Sequence, residues 1–127
     1  MSDKTTLRRE LRKVGFDFRK GRIIYQPIKE CDFEYEGIVG RYTPSPGYAD
    51  EDEVEAPIEI DVNHPILDHV FATDSCSPDI PRFVAEDDKK IYFPCKGYNG
   101  DSTWVGWVYK DISEYIESKG YLPYLGC

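Results

Sequence analysis

The stretch Phe83-Val84-Ala85-Glu86-Asp87-Asp88-Lys89-Lys90-Ile91-Tyr92-Phe93 contains two apolar triplets separated by five charged residues. Runs rich in β-branched and aromatic side chains are typical of strands, and a short polar stretch between two such runs is typical of a turn. Residues 83–93 therefore predict a β-hairpin, and the remaining strand patterns predict that a largely antiparallel sheet surrounds it.

A second hairpin signal follows directly in the sequence. Asn99 and Gly100 form the residue pair that a type I′ turn requires, and apolar residues flank the pair on both sides. The stretch Thr103-Trp104-Val105-Gly106-Trp107-Val108-Tyr109 is apolar at successive positions and so on both faces of a strand. We expect it to be a central strand.

Strands nearer the N-terminus are predicted from the alternation of apolar and polar residues. Residues 57–62 alternate strictly, which predicts that Ile58, Ile60 and Val62 face the core. Residues 16–19 and 23–25 predict a small hairpin around a turn at residues 20–22. Residues 33–41 predict one strand, with Gly37 and Gly40 marking a bulge or twist within it.

Three helices are predicted. Leu7, Leu11 and Val14 recur at helical spacing after Asp3 or a Thr as N-cap, and Gly15 is placed for a left-handed C-cap. Asn63 can cap a short helix that ends at Phe71. Asp111 and Glu114 form a capping box for a last helix that ends at Gly120.

These elements predict one α+β domain over residues 1–127, with a largely antiparallel sheet and short helices near both termini. A chain of 127 residues fits one domain, and an aromatic content of 14% supports a packed core. No segment resembles a signal peptide or approaches the roughly 18 apolar residues of a membrane span. We therefore expect a soluble cytoplasmic protein, whose four cysteines stay reduced.

Charge is divided along the chain. Residues 1–30 contain nine Lys or Arg and four acids, whereas residues 31–127 have a net charge of −13. Seven acids fall within the twelve residues 50–61, with no Lys or Arg among them. Like charges this close repel one another, so the stretch gains most from a partner that supplies positive charge.

The acidic stretch follows two prolines, Pro44 and Pro46, which cannot lie inside a sheet. We expect residues 43–56 to form a surface loop that binds a basic surface on a partner protein or ribonucleoprotein complex. Rigid aromatic side chains would anchor it and carboxylates would steer it. The predicted partner-binding residues are Tyr42, Tyr48, Asp50, Glu51, Asp52, Glu53 and Glu55. The competing interpretation is that surplus acid only keeps the protein soluble.

The N-terminal helix offers an alternative function. Its basic residues Arg8, Arg9, Arg12 and Lys13 could contact nucleic acid phosphates directly. The net charge of −13 elsewhere would repel a polyanion, and the helix could instead complement the chain's own acidic region.

No catalytic, cofactor or metal signature emerges. A small hydrolase using Cys76 with His69 as base is a further alternative, but Asp74 and Asp79 favour the neutral thiol over the reactive thiolate. His64 and His69 would lie about 140° apart on a helix, and Cys76 and Cys95 are too widely spaced for a zinc site. We expect a protein that is not an enzyme and that binds no metal or cofactor.

The stretch Arg41-Tyr42-Thr43-Pro44-Ser45-Pro46-Gly47-Tyr48, its acidic continuation and Ala56-Pro57-Ile58-Glu59-Ile60-Asp61 resemble small uncharacterised proteins of phages and mobile elements. The likeness covers about twenty of the 127 residues. It implies a viral accessory protein, and small acidic proteins of that kind often block a host defence complex. The resulting hypothesis is a phage-encoded inhibitor of a CRISPR effector or restriction enzyme that acts by steric and electrostatic blocking.

Overall fold

The computed structural model describes residues 4–72, 79–88, 91–94, 105–108 and 122, and of residues 105–108 the backbone alone. In this part of the chain one α-helix, α1 (Leu7–Lys13), accompanies nine strands and three 3₁₀ turns. The strands are β1 (Lys4–Thr5), β2 (Arg22–Tyr25), β3 (Cys31–Tyr35), β4 (Ile38–Tyr42), β5 (Ile58–Ile60), β6 (Phe71–Ala72), β7 (Phe83–Glu86), β8 (Ile91–Pro94) and β9 (Val105–Val108). The fold is α+β, as predicted.

Five strands form the central sheet, in the order β5-β2-β7-β8-β9, and every pairing in it is antiparallel. The predicted hairpin of residues 83–93 is confirmed, because β7 pairs with β8 from Glu86 opposite Ile91 onward. β7 is the middle strand of the five. The expectation of a central strand within residues 103–109 stays a prediction, because β9 pairs with β8 and residues 95–104 and 109–121 lie outside the described part of the chain. An apolar pattern on both faces predicts covering layers and does not fix the order of strands.

Both faces of the sheet are covered. Phe83 and Ala85 belong to the larger apolar cluster, whereas Val84, which points the opposite way, belongs to a second cluster. Members of the larger cluster include Leu7 and Leu11 of the helix, and the second cluster includes Leu122 from near the C-terminus. The apolar runs of β7 and β8 therefore bury side chains on two sides.

Helix α1 follows the predicted pattern. The Thr6 hydroxyl accepts a hydrogen bond from the Arg9 N–H at 3.2 Å, which identifies Thr6 as the N-cap. Leu7 and Leu11 are fully buried, and Gly15 adopts the left-handed conformation with φ of 86°. The two residues before the cap form β1, which pairs with β6.

The hairpin predicted for residues 16–25 does not form. The Asp17 carboxylate accepts hydrogen bonds from the backbone N–H groups of Arg19 and Lys20, which closes a turn where the first strand was expected. Phe16 and Phe18 pack edge to face beside this turn instead of alternating along a strand. β2 pairs with β5 and β7.

Residues 33–41 form a hairpin and not one strand. β3 pairs with β4 in a separate two-stranded sheet, with Tyr35 opposite Ile38. Glu36 and Gly37 both have positive φ, at 49° and 81°, as the two-residue type I′ turn requires. The predicted bulge at Gly37 is therefore the turn itself.

Two predictions around residues 57–71 need correction. Ile60 is buried in β5, but Ile58 and Val62 are exposed, because strict alternation does not show where the covering layer ends. The helix predicted from Asn63 is a single 3₁₀ turn, Pro65–Asp68, capped by the His64 Nδ1 atom at 3.1 Å from the Ile66 N–H. Pro65 keeps His64 extended, so a helix cannot start at Asn63.

The Asn99-Gly100 turn and the helix predicted for residues 111–120 lie outside the described residues. Within the described ranges, none of the helical segments has the length and apolar content needed to cross a bilayer.

Candidate functional site

The predicted acidic loop has a defined backbone. Two 3₁₀ turns, Pro46–Tyr48 and Glu51–Glu53, interrupt it, and the apolar side chains of Ala49 and Val54 are buried. We call residues 50–55 the acidic segment. At its start the Asp50 N–H donates to Glu53 Oε1 at 2.9 Å, as part of a capping box around the second turn.

Two buried polar side chains hold this stretch in place. Gln26 is 0% exposed and Arg82 is 2% exposed. Arg82 Nη2 donates to the Pro46 carbonyl at 2.7 Å and to the Ala49 carbonyl at 3.4 Å. Gln26 Nε2 donates to the Glu55 carbonyl at 3.1 Å. The backbone is thereby fixed on both sides of the acidic segment.

The same two side chains bind residue 122. Arg82 Nη1 donates to the Leu122 carbonyl at 2.8 Å, and the Leu122 N–H donates to Gln26 Oε1 at 2.9 Å. We call Gln26 and Arg82 the polar hub. The polar hub thus joins the carbonyls of Pro46, Ala49 and Glu55 to the backbone of Leu122.

Backbone hydrogen bonds add a third support. The Lys29 N–H donates to the Glu53 carbonyl, and the Glu55 N–H donates to the Pro27 carbonyl, both at 2.9 Å. Ile28 and Val54 form an antiparallel bridge between these bonds. The acidic segment thus lies along residues 27–29 while its carboxylates face outward.

The carboxylates of the acidic segment have no cationic partner within ion-pair distance in the described part of the chain. The ion pairs found there join Arg8 to Asp68, Lys13 to Glu10, Arg22 to Glu59 and Glu86, and Arg41 to Glu30 and Asp32. The N-terminal arginines therefore do not neutralise the acidic segment where the structure describes both.

Tyr42 joins the acidic segment to the hairpin. Its hydroxyl donates to Glu53 Oε2 at 2.9 Å. Tyr48, the other predicted anchor, lies in the first 3₁₀ turn with an exposed side chain. The structure therefore brings Tyr42 into contact with the acidic segment, and Tyr48 lies exposed two residues before that segment begins.

An apolar surface that sequence reasoning missed lies next to these residues. The register of β3 and β4 puts Phe33, Tyr35, Ile38 and Tyr42 on one face of the hairpin. All four are exposed, Tyr35 by 67% and Ile38 by 64%. We call this set the hairpin face. The alternation of Phe33 and Tyr35 with acidic residues is the signal that could have revealed it.

The opposite side of the hairpin is mostly charged. Asp32, Glu34 and Arg41 lie there with Val39 as the one apolar side chain of the described strands on that side. The Arg41 Nε atom is 3.1 Å from Asp32 and 3.4 Å from Glu30. Residues 29–55 contain nine acids and two bases, so this fifth of the chain has a net charge of −7, against −8 for the whole chain.

The basic residues of α1 are partly used within the protein. Arg8 Nε and Nη2 donate to the two Asp68 oxygens at 2.8 and 3.1 Å, and Nη2 also donates to the Val62 carbonyl at 2.7 Å. The hydrogen bond from Arg8 holds the pKa of Asp68 below its usual value. Lys13 lies 3.5 Å from Glu10, so Arg9 and Arg12 are the exposed pair left on the helix.

Three carboxylates of the acidic segment converge. Oxygens of Asp50, Asp52 and Glu53 lie within 4.8 Å of one another, an arrangement that could hold a cation but that exposed acids commonly adopt without one. Of the candidate hydrolase pair, His69 is exposed and Cys76 lies outside the described residues.

Comparisons with known proteins find no relative: no protein-family model, no curated protein and no solved structure matches this chain. The resemblance of residues 41–61 to phage and mobile-element proteins stays a prediction. Any function must therefore be argued from the surfaces described above.

The hydrogen bond between Tyr42 and Glu53 predicts a pH-dependent stability. The pKa of Glu53 is lowered, first by the Asp50 N–H and then by the Tyr42 hydroxyl, and the bond to Glu53 raises the pKa of Tyr42. The lowered carboxyl pKa adds stability above the ordinary glutamate value of 4.5, and this stability is lost as pH falls through the folded-state pKa. The raised phenol pKa adds stability that is lost as pH rises through its folded-state pKa, above the ordinary value of 10.0.

We therefore expect Tyr42→Phe to lower the free energy of unfolding near neutral pH, with the difference from wild type shrinking in both acid and alkali. Urea unfolding of the two proteins across pH measures this. Tyr35→Phe is the matched control, because Tyr35 is on the same hairpin face and its hydroxyl forms no hydrogen bond with the other described residues. A Tyr42→Phe difference that does not vary with pH would contradict the assignment.

Proposed function

We propose that the protein is a non-enzymatic acidic binding factor whose acidic segment engages a basic surface on a partner protein or ribonucleoprotein complex. The observation that supports this most is the combination of a firmly held backbone with outward carboxylates that lack a cationic partner in the described part of the chain. Surface acids retained only for solubility need no such support.

Rigid presentation favours binding for a physical reason. Ordering a loop at an interface costs roughly 0.5–1.5 kcal/mol for each immobilised flexible side chain, besides the backbone cost. The polar hub and the capping box already order the backbone of the acidic segment in the folded protein, so less conformational entropy is lost on binding. The carboxylates then raise the association rate by long-range attraction to Lys and Arg, an effect that salt screens.

The negative charge of the acidic segment indicates the class of protein that it would bind. Proteins that handle nucleic acids expose basic surfaces that bind a polyanion, and an acidic protein with the same complementarity can occupy them. Occupation blocks the nucleic acid sterically and electrostatically. We extend the proposal to a phage-encoded inhibitor of a host defence complex, with CRISPR effectors and restriction enzymes as targets, supported by the resemblance of residues 41–61.

The test reverses three charges whose side chains form no hydrogen bond or ion pair within the described part of the chain. Glu51, Asp52 and Glu55 are exposed, and their side chains are outside the capping box. Changing all three to Lys should slow association with the partner at least about tenfold at low salt, and the difference should shrink at high salt. The partner is first captured from host lysate, identified by mass spectrometry and purified, and association rates are then measured by surface plasmon resonance.

A matched variant separates local from global charge. Asp61, Asp79 and Asp88 are three exposed acids outside the acidic segment, and their reversal changes the net charge equally. Because Asp61 accepts a hydrogen bond from the Asn63 N–H, circular dichroism first checks that this variant is folded. This control should associate at nearly the wild-type rate. Equal slowing of both variants, or no slowing in the first, would show that the acidic segment does not bind the partner.

Nucleic acid contact by α1 is the weaker proposal. Arg8 and Lys13 are engaged with Asp68 and Glu10, which leaves Arg9 and Arg12 to bind phosphate. A salt-dependent mobility shift on DNA or RNA that disappears in an Arg9→Ala, Arg12→Ala variant would favour it over partner binding.

A further inference from the structure

The β3–β4 hairpin is a separate two-stranded sheet whose apolar face is exposed. Isolated two-stranded hairpins are marginally stable in water, and soluble monomers rarely expose contiguous apolar side chains without a use for them. Phe33 lies over Gly40, where a Cβ atom would approach its ring to 2.7 Å, and it packs against Tyr42 with ring centroids 6.1 Å apart. The hairpin face is thus internally packed while its outer surface meets water.

The geometry of the hairpin face selects the shape of its occupant. Partner chains that add to a sheet edge form ladder hydrogen bonds, but a segment lying across a face cannot, so it must satisfy its own backbone groups. A helix does so. Five-residue strands at about 3.4 Å per residue are as long as about three helical turns, and two strands with their side chains are about as wide as one helix.

The charge around the hairpin face selects the chemistry of its occupant. The surrounding residues 29–55 have a net charge of −7, and the acidic segment is joined to one end of the face through Tyr42 and Glu53. A second copy of this chain would bring the same negative charge and be repelled. A helix with an apolar stripe flanked by Lys and Arg would complement both the apolar hairpin face and the negative charge around it.

We propose that the hairpin face binds a basic amphipathic helix of about three turns on the partner protein, with the acidic segment pairing to its cations. This rests on the proposed function and adds to it the shape and polarity of the partner element. Tyr35 and Ile38 would lie against the apolar stripe of the helix, as the most exposed members of the face.

The test uses two synthetic peptides of identical composition and the full-length protein. In LKKLLKKLLKKLLK the leucines follow helical spacing, whereas in LKLKLKLKLKLKLK they follow strand spacing. Fluorescence anisotropy of each labelled peptide measures its affinity. We expect the first peptide to bind at least about tenfold more tightly than the second.

Substitutions on the two sides of the hairpin provide the matched comparison. Tyr35→Ser and Ile38→Ser should each weaken binding of the first peptide about tenfold or more, because each removes a large apolar contact. Val39→Ser is the control, since Val39 is 74% exposed but lies on the opposite side of the same hairpin. It should bind as wild type does.

Three other results would each contradict a different part of the proposal. Equal affinity for both peptides, or equal effects of Ile38→Ser and Val39→Ser, would overturn the helix proposal even if reversal of the acidic segment still weakened binding. Loss of binding on Ile38→Ser but not on charge reversal would overturn the proposed electrostatic function. A dimer seen by sedimentation that Ile38→Ser dissociates would make a second copy the occupant and would also overturn the proposal.

Discussion

Replacing Arg82 with Leu should lower the free energy of unfolding by at least about 3 kcal/mol. The guanidinium donates to the carbonyls of Pro46, Ala49 and Leu122 from a position that is almost entirely buried. Hydrogen bonds to a charged group contribute roughly 1.5–3 kcal/mol each, and buried acceptors left without a donor add a desolvation penalty. Leucine replaces much of the stem but none of the donors.

Urea unfolding measures this loss, and Arg19→Leu is the control because Arg19 is exposed in the Asp17 turn. Arg82→Lys, which keeps the charge and a donor, should fall between Arg82→Leu and wild type. A protease that cuts after glutamate provides a second measurement, since Glu51, Glu53 and Glu55 should be cleaved faster when the polar hub is lost. Unchanged stability and unchanged cleavage would show that Arg82 does not hold the acidic segment.

Truncating Phe83 to Ala should lower the free energy of unfolding by about 3–5 kcal/mol, the usual range for a fully buried phenylalanine. Phe83 is on the middle strand of the sheet, opposite Tyr25 of β2, and is completely inaccessible to solvent. Its removal takes apolar surface from the larger cluster and leaves a cavity that the flanking strands cannot close. Since small domains have a total stability of roughly 5–15 kcal/mol, a large part of it would be lost.

Phe33→Ala is the matched comparison, because the same side chain is removed from the exposed hairpin face. We expect Phe33→Ala to lower the free energy of unfolding by about 1 kcal/mol or less, mainly through the lost contact with Tyr42. Thermal and urea unfolding of both variants would show the contrast. Similar losses for Phe33→Ala and Phe83→Ala would mean that the hairpin face is part of the core and is not a free docking surface.

The two surfaces proposed to bind a partner differ in how they are supported. The acidic segment depends on the polar hub, so Arg82→Leu should also reduce partner binding in proportion to the misplacement of its backbone. The hairpin face depends on its own turn and cross-strand packing. Variants of the face can therefore change binding without unfolding the domain, which makes them the sharper probes of function.

Local patterns predicted several elements correctly. Helix α1 was predictable because its cap, its apolar spacing and its terminal glycine all lie within ten residues. The β7–β8 hairpin was predictable because two apolar runs flank one polar turn. The β3–β4 hairpin was missed because Glu36 at positive φ departs from the Asn, Asp or Gly that a type I′ turn usually contains. The prediction of a hairpin at residues 16–25 failed because the Asp17 side chain forms a turn that competes with a strand.

Composition and short-range pattern by themselves determined the fold class, the central hairpin, the basic first helix and the negative charge of residues 50–55, because each depends on neighbours along the chain. Only the tertiary structure decided that those acids stand on a held backbone beside an exposed apolar face. The contacts responsible join residues far apart in sequence, such as Gln26 with Leu122 and Arg82 with Pro46. Such pairings arise when the chain buries its polar groups in a shared interior, and no local periodicity records which distant group will be the partner.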